Sequence, residues 1–200
     1  MNILVIGGAG TIGKHVCAAL SKKHQVKVAG RSSGDVTVDI TSAASITAMY
    51  EAVGPLDAVV GIAGEAKWGP FDQLTEEDYF VGLRSKLMGQ VNLVRIGQEY
   101  VSEGGSFTLS TGILADDPVV MTASAAMVNG AIHSFAQAAA LEMKKRQRLN
   151  VVSLGLVEDS VDKYADYFPG HNPIPMAKVA NAYLKSVMGM MNGQIIRIYD

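Results

Sequence analysis

Cysteine, net charge and long apolar runs are all scarce in this 200-residue chain, and each scarcity closes off a class of protein. The single cysteine, Cys17, cannot close an internal disulfide. Set in an amphipathic stretch, it reads as a small buried apolar side chain in a reducing compartment. Seventeen Lys and Arg stand against 19 Asp and Glu, a net of -2, which leaves no electrostatic footprint for nucleic acid. The one basic cluster, Lys144-Lys145-Arg146-Gln147-Arg148, follows a long apolar helical stretch, where cations suit the negative end of the helix dipole and its last carbonyls. No run approaches the length of a membrane span, and the chain opens on a strand-like segment without a secretory pattern, so a cytoplasmic protein is expected. The four His are scattered without ligand spacing, so no metal site is expected.

What is present is a core-forming alternation. With 48% hydrophobic residues the chain can bury a full core, and it carries no repeat, linker or charge block that would divide it. Seven β-rich runs recur, at 2–7, 24–30, 35–40, 56–64, 105–111, 149–155 and 193–200, several of them apolar on both faces. Between them lie apolar stripes at helical spacing: Ile12, Val16 and Leu20; Leu83, Leu87, Val91 and Val94; Val179, Tyr183 and Val187. Thr41 or Ser42 can cap a helix that runs to Val53 and ends at Gly54-Pro55. Strands separated by helices, with apolar strand faces on both sides, predict one doubly wound α/β domain over residues 1–200, with a mostly parallel seven-stranded sheet.

The first chemistry lies in NILVIGGAGTIGKHV. Gly7, Gly10 and Gly13 are spaced between an apolar strand and an amphipathic helix, where they permit a tight turn, a close approach of pyrophosphate to the backbone, and close helix–strand packing. An anion there meets the free N–H groups of the helix start. After the second strand, Arg31 with Ser32 and Ser33 stands where such folds present either an acid to a ribose 2′-hydroxyl or a base to a 2′-phosphate. A guanidinium binds phosphate bidentately, so NADP is the expected cofactor. Asp39 either accepts from the adenine amino group or caps the following helix.

With these residues in place, the chain resembles the short-chain dehydrogenase/reductases over essentially its whole length. GGAGTIG is similar to that family's glycine-rich loop, with Thr11 in place of the middle glycine of the commonest form. GIAG at 61–64 resembles its Asn-Asn-Ala-Gly turn, without the asparagines. TASAAMVNGAIHSFAQAAALEM resembles its long central helix. LNVVSLGLVEDS resembles the stretch that borders the nicotinamide, with Leu154 where proline is usual. The tail YFPGHNPIPMAKVANAY is similar to that of a subgroup of small bacterial members. The resemblance implies hydride transfer between a nicotinamide and a small carbonyl or alcohol, with Gly7, Gly10, Thr11, Ile12, Gly13, Ala63 and Gly64 against the cofactor. It also implies a two-fold or four-fold assembly through the Ala-rich helix, expected from about Ala123 to Met143.

The resemblance also exposes a gap. The family's hydroxyl at the end of the fifth strand has candidates in Ser110 and Thr111, but Met121 stands at its tyrosine position and Ala125 at its lysine position. Neither a thioether nor a methyl group can deliver a proton to an alkoxide. Lys86, near the place of the family's active-site asparagine, is the candidate replacement, since a desolvated lysine has a lowered pKa. Tyr164, Tyr167 and His171 lie in the segment expected to cover the substrate, and Trp68 could line the same pocket. Two readings follow: an NADP(H)-dependent oxidoreductase with a non-standard proton donor, or an impaired module of the same fold that binds NADP(H) as a sensor or scaffold.

Overall fold

A computed structural model describes all residues from Met1 to Asp200. The seven expected strands form a single sheet: β1 (Asn2–Ile6), β2 (Gln25–Gly30), β3 (Val36–Thr37), β4 (Leu56–Gly61), β5 (Val101–Gly112), β6 (Arg148–Leu154) and β7 (Ile195–Ile198). Their order is β3-β2-β1-β4-β5-β6-β7. Every neighbouring pair is parallel, so no antiparallel edge strand is present.

Side-chain alternation along the strands divides the core into two layers. Leu4, Ile6, Val59, Phe107, Leu109 and Val151 face α2 (Ala43–Val53), α4 (Met88–Gly97) and α5 (Ala123–Ala139). Ile3, Val5, Ala58, Val60, Val152 and Leu154 face α1 (Thr11–Leu20) and α6 (Met176–Met188), where Val16, Leu20, Val179, Tyr183 and Val187 are buried as their spacing predicts. Ser42 caps α2 by accepting from the Ser45 N–H, and Gly54 ends that helix at a φ of 79°. A third, smaller apolar cluster sits beyond the carboxyl ends of the strands, around Ile113, Leu114, Ala125, Leu156 and Phe168. It builds the wall of the site.

Two helices differ from expectation. The segment carrying Leu83 and Leu87 is α3 (Glu76–Gly82) running into α4 through a π-turn at Leu83–Leu87. The Ala-rich helix α5 stops at Ala139, and the chain then turns back through Lys145 and Arg146, both with positive φ. The Lys145 ammonium therefore reaches the carbonyls of Gln98 and Glu99, at the end of α4 rather than of α5. Gln147 donates to Gln98 and Val101 in the same place. No helix is long and apolar enough to cross a membrane.

Candidate active site

The carboxyl ends of β1, β4, β5 and β6 open onto a crevice of adjoining cavities, at the switch point of the strand order where α/β sheets bind ligands. One end lies on the glycine-rich turn. Gly7 has a φ of 85°, and a Cβ there would come within 2.8 Å of the Ala63 backbone nitrogen. At Gly13 a Cβ would sit 2.1 Å from the Gly7 carbonyl oxygen, so only glycine lets α1 pack this closely on β1. Outside Gly10, by contrast, a Cβ would meet only the turn's own Gly7 oxygen, at 3.3 Å. Gly10 caps α1 without a side-chain hydrogen bond, and no acceptor in the chain takes the N–H groups of Thr11, Ile12 or Gly13. Three aligned donors at the positive end of a helix fit a pyrophosphate. These turn residues line a cavity of about 620 Å³ together with Arg31, Ser33, Ala63, Gly64 and Lys163.

A side cavity of about 220 Å³ lies between Val38, Ile40, Ala63 and Gly64, with Arg31 and Glu65 at its mouth, and suits an adenine ring. Arg31 is largely exposed and only loosely paired with Glu65, at 3.5 Å, so its guanidinium is free to turn onto a phosphate. Ser33, not Ser32, lines the crevice, because the turn after β2 folds Ser33 back over Gly30. Asp39 neither caps α2, which Ser42 caps, nor faces the crevice: its carboxylate accepts from the N–H and hydroxyl of Thr41 in the turn before the helix, bonds that hold it below the usual carboxylate range, and its own N–H donates to Ser45. Asp39 does not line the adenine-sized cavity.

The other end of the crevice is a cavity of about 410 Å³, lined by Thr111, Lys86, Ala125, Asn129 and a largely apolar wall. Strand parity separates the two hydroxyl candidates. Thr111 follows Phe107 and Leu109 onto the α5 face and lines the cavity. Ser110 points to the opposite face, where its hydroxyl is hydrogen-bonded to that of Tyr183 at 2.7 Å, so Ser110 is a packing residue. The backbone at Ser110 extends beyond the end of β4, and Gln90 takes the place of the missing strand: its carboxamide donates to the Ser110 oxygen and accepts from its nitrogen.

Sequence reasoning missed two polar groups on α5, one and two turns beyond Ala125. His133 is buried and hydrogen-bonded through Nε2 to the Thr111 hydroxyl at 2.8 Å. Desolvation lowers its pKa, which keeps the imidazole neutral at neutral pH. Asn129, 4% exposed, lines the cavity, while its Oδ1 is itself buried without a partner. Both were legible as the positions four and eight residues after Ala125, which share its helix face.

Lys86 sits on the π-turn, packed over Gly64, and is half-buried. Its ammonium forms no hydrogen bond or ion pair within the chain, and desolvation brings its pKa down to about 8. Met121 is not where its alignment implied. It precedes α5 at a φ of 67°, and its exposed side chain lines a separate depression with Phe71, Pro118 and Val119. Ala125 does line the crevice. Trp68 packs against Tyr164 and Tyr167 with ring centroids 5.3 and 5.6 Å apart, and closes the outer side of the cavity with Phe168. His171 lies 3.6 Å from Asp117, outside that wall.

This arrangement has known counterparts. A family model described as Enoyl-(Acyl carrier protein) reductase matches residues 4–189. The solved structure of the protein lin1944 from Listeria innocua is 50% identical over the whole of both chains, with a TM-score of 0.98. A small-chain dehydrogenase solved in complex with NADPH is 26% identical, covering 100% of this chain and 96% of that one, with a TM-score of 0.88. An uncharacterized oxidoreductase of Methylorubrum extorquens is 26% identical over 137 residues, 66% of this chain and 55% of the relative, so the match spans only about half of that relative's length. By the family match, the sheet order and the glycine-turn crevice together, the chain belongs to the short-chain dehydrogenase/reductase family.

Proposed function

We propose that this chain is a cytoplasmic NADP(H)-dependent oxidoreductase that acts on a small carbonyl or alcohol and takes its proton from Lys86 rather than from a tyrosine. The observation that carries this reading is a pair of adjoining cavities that share Ile12, Gly64 and Tyr164, running from Arg31 past the free N–H groups of α1 to the space shared by Thr111 and Lys86. The NADPH complex of the similar dehydrogenase supports the cofactor assignment. In this reading the N–H groups of Thr11, Ile12 and Gly13 hold the pyrophosphate, Val38 and Ile40 flank the adenine, and Arg31 leaves Glu65 for the 2′-phosphate. Bound there, NADPH would supply a hydride to the substrate's carbonyl carbon.

The rest is chemistry of this chain's own residues. The Thr111 hydroxyl donates a hydrogen bond to the carbonyl oxygen; His133, held neutral behind it, fixes the direction of that hydroxyl. As the oxygen gains the electron pair of the broken π bond, Lys86 gives it a proton and becomes a neutral amine, which water reprotonates. A pKa of about 8 suits that exchange near neutral pH. Trp68 and Tyr164 keep bulk water from the cavity. The exposed stripe of α5 suits a homodimer or homotetramer.

The alternative, a cofactor-binding sensor or scaffold, is favoured by one observation: Met121 is turned out of the crevice and Ala125 carries no polar group. Two measurements separate the readings. NADPH fluorescence on titration with protein should show binding, and NADH should bind more weakly by about 1.5–3 kcal/mol, the worth of a charge-assisted contact at Arg31. Arg31→Asp should reverse that preference, and equal affinity for the two cofactors in the unmodified protein contradicts the assignment. Loss of absorbance at the reduced-nicotinamide band with a panel of carbonyl compounds then supports the enzyme. Binding without turnover across the panel supports the sensor.

A further inference from the structure

The substrate end of the crevice is chemically lopsided. Its wall is apolar, formed by Ile113, Leu114, Leu156 and Phe168 with the rings of Trp68 and Tyr164. Into this wall Lys86 brings the only cation among the lining residues, and nothing in the chain neutralises it. Glu65, the only lining anion, is paired with Arg31 at the far mouth. The carboxamide of Asn129 also lines this space, and its Nδ2 donates to no group within the chain. An unpaired cation and an amide N–H donor bordering the same apolar space are both completed by one hydrogen-bond-accepting anion. The polar groups Lys86, Asn129 and Thr111 come from three different elements and converge on one volume of about 410 Å³.

We propose that this end of the crevice takes a small oxo acid, a carbonyl compound that carries one carboxylate on an apolar body. Lys86 and the Asn129 amide N–H groups hold the carboxylate, Thr111 points at the carbonyl oxygen, and the apolar remainder lies on Trp68, Leu156 and Phe168. A neutral ketone would leave the Lys86 charge uncompensated, and a dianion would bring a second charge with no cation to meet it. When the carboxylate neighbours the carbonyl, as in a 2-oxo acid, the Lys86 ammonium spans both groups and remains the proton source described above. The assignment of the carbonyl rests on the oxidoreductase reading; that of the carboxylate stands on the cavity alone.

The probe is 4-methyl-2-oxopentanoate, compared by calorimetry with its primary amide and with the neutral ketone 4-methylpentan-2-one. Each is titrated into the protein with and without NADP+, which holds the nicotinamide site without allowing reduction. The acid should bind at least tenfold more tightly than either neutral compound. Lys86→Met should remove that advantage, Lys86→Arg should keep part of it, and Asn129→Leu should weaken the acid several-fold. Circular dichroism melts of each variant show that it is folded. Equal affinity for acid and amide, no binding of the acid, or acid affinity untouched by Lys86→Met in a folded variant each overturns the proposal. Failure of NADPH to bind sinks the oxidoreductase reading without touching the carboxylate result. NADPH binding without discrimination between acid and amide sinks the oxo-acid proposal alone.

Discussion

At the scale of single residues, the site shows what the sequence could and could not convey. The placement of Gly7, Gly13 and Arg31 was readable because it follows from spacing and position after a strand, and all three line the crevice. Thr111 was separable from Ser110 by strand parity alone, since Phe107, Leu109 and Thr111 share a face. Lys86 was readable as a residue type, but its isolation was not, because the absence of a partner is a property of the assembled fold. That isolation has a measurable stability consequence. Desolvation lowers the folded-state pKa of Lys86 from 10.5 to about 8, so between those values the unfolded chain holds a proton that the folded one has released. The cost of burying the charged amine is therefore fully present below about pH 8 and is relieved as the pH rises toward 10.5. At about 1.4 kcal/mol per pH unit this is at most about 3.5 kcal/mol, and less where water reaches the amine. Lys86→Met, similar in length and apolar, should accordingly stabilise the protein by roughly 1–3 kcal/mol at pH 7, with the gain shrinking by pH 10. Guanidinium unfolding of both proteins at the two pH values measures this, and a Met variant less stable at pH 7 contradicts it.

At the scale of elements, all seven strands and the main helices were legible, because parallel strands covered on both sides carry unmistakable apolar runs. The π-turn that carries Lys86 was not, since the Leu83, Leu87, Val91 and Val94 stripe fits an ordinary helix and nothing in it marks the extra residue per turn, which in the fold packs against α5. Nor was the end of α5, where Lys145 and Arg146 satisfy neighbouring groups rather than the helix they follow. The clearest case of an element held from a distance is the turn after β5. Asp116, just past Ile113–Ala115, accepts two hydrogen bonds from Arg197, at 2.8 and 3.2 Å, and another from Tyr199, which is also bonded to Ser153. The β7 end of the chain thereby latches the turn that leads out of the Thr111 strand. Arg197 above all holds the Asp116 carboxyl down to about 2. A lowered carboxylate value means that this stabilisation is present above the usual carboxylate pKa and is lost as the pH falls toward about 2. Asp116 is about one-third exposed, so the latch is worth only about 1 kcal/mol. Asp116→Asn should therefore lower stability by about that amount at pH 7, and the difference from the parent should narrow between pH 5 and pH 3. An undiminished difference at pH 3 would show that the carboxylate charge is not what holds the turn.

At the scale of the whole molecule, the outer surface of α5 bears on assembly. The sequence offered alanines on several faces of this helix, and the fold uses many of them internally: Ala125, Ala136 and Ala140 are buried. The outward stripe that remains is Ala123, Met127, Ala131, Ser134 and Ala138, all partly or fully exposed, with Gly130 beside it facing open space. Small residues at this spacing let a second helix approach closely, and a two-fold axis would set the same stripe against itself. Met127 is the one large apolar side chain on the stripe, 42% exposed, and Val81 and Met88 on α3 and α4 are similarly uncovered. Such a contact would bury Met127 near its centre, where a charge is hardest to accommodate. The expected state is therefore a homodimer or homotetramer at micromolar concentration, and Met127→Glu should shift it to monomer while leaving the fold and NADPH binding intact, because Met127 lines none of the crevice. Light scattering coupled to size exclusion reads the mass of both proteins. A monomeric parent would mean that the α5 stripe faces water, and an oligomer indifferent to Met127→Glu would move the interface to another surface.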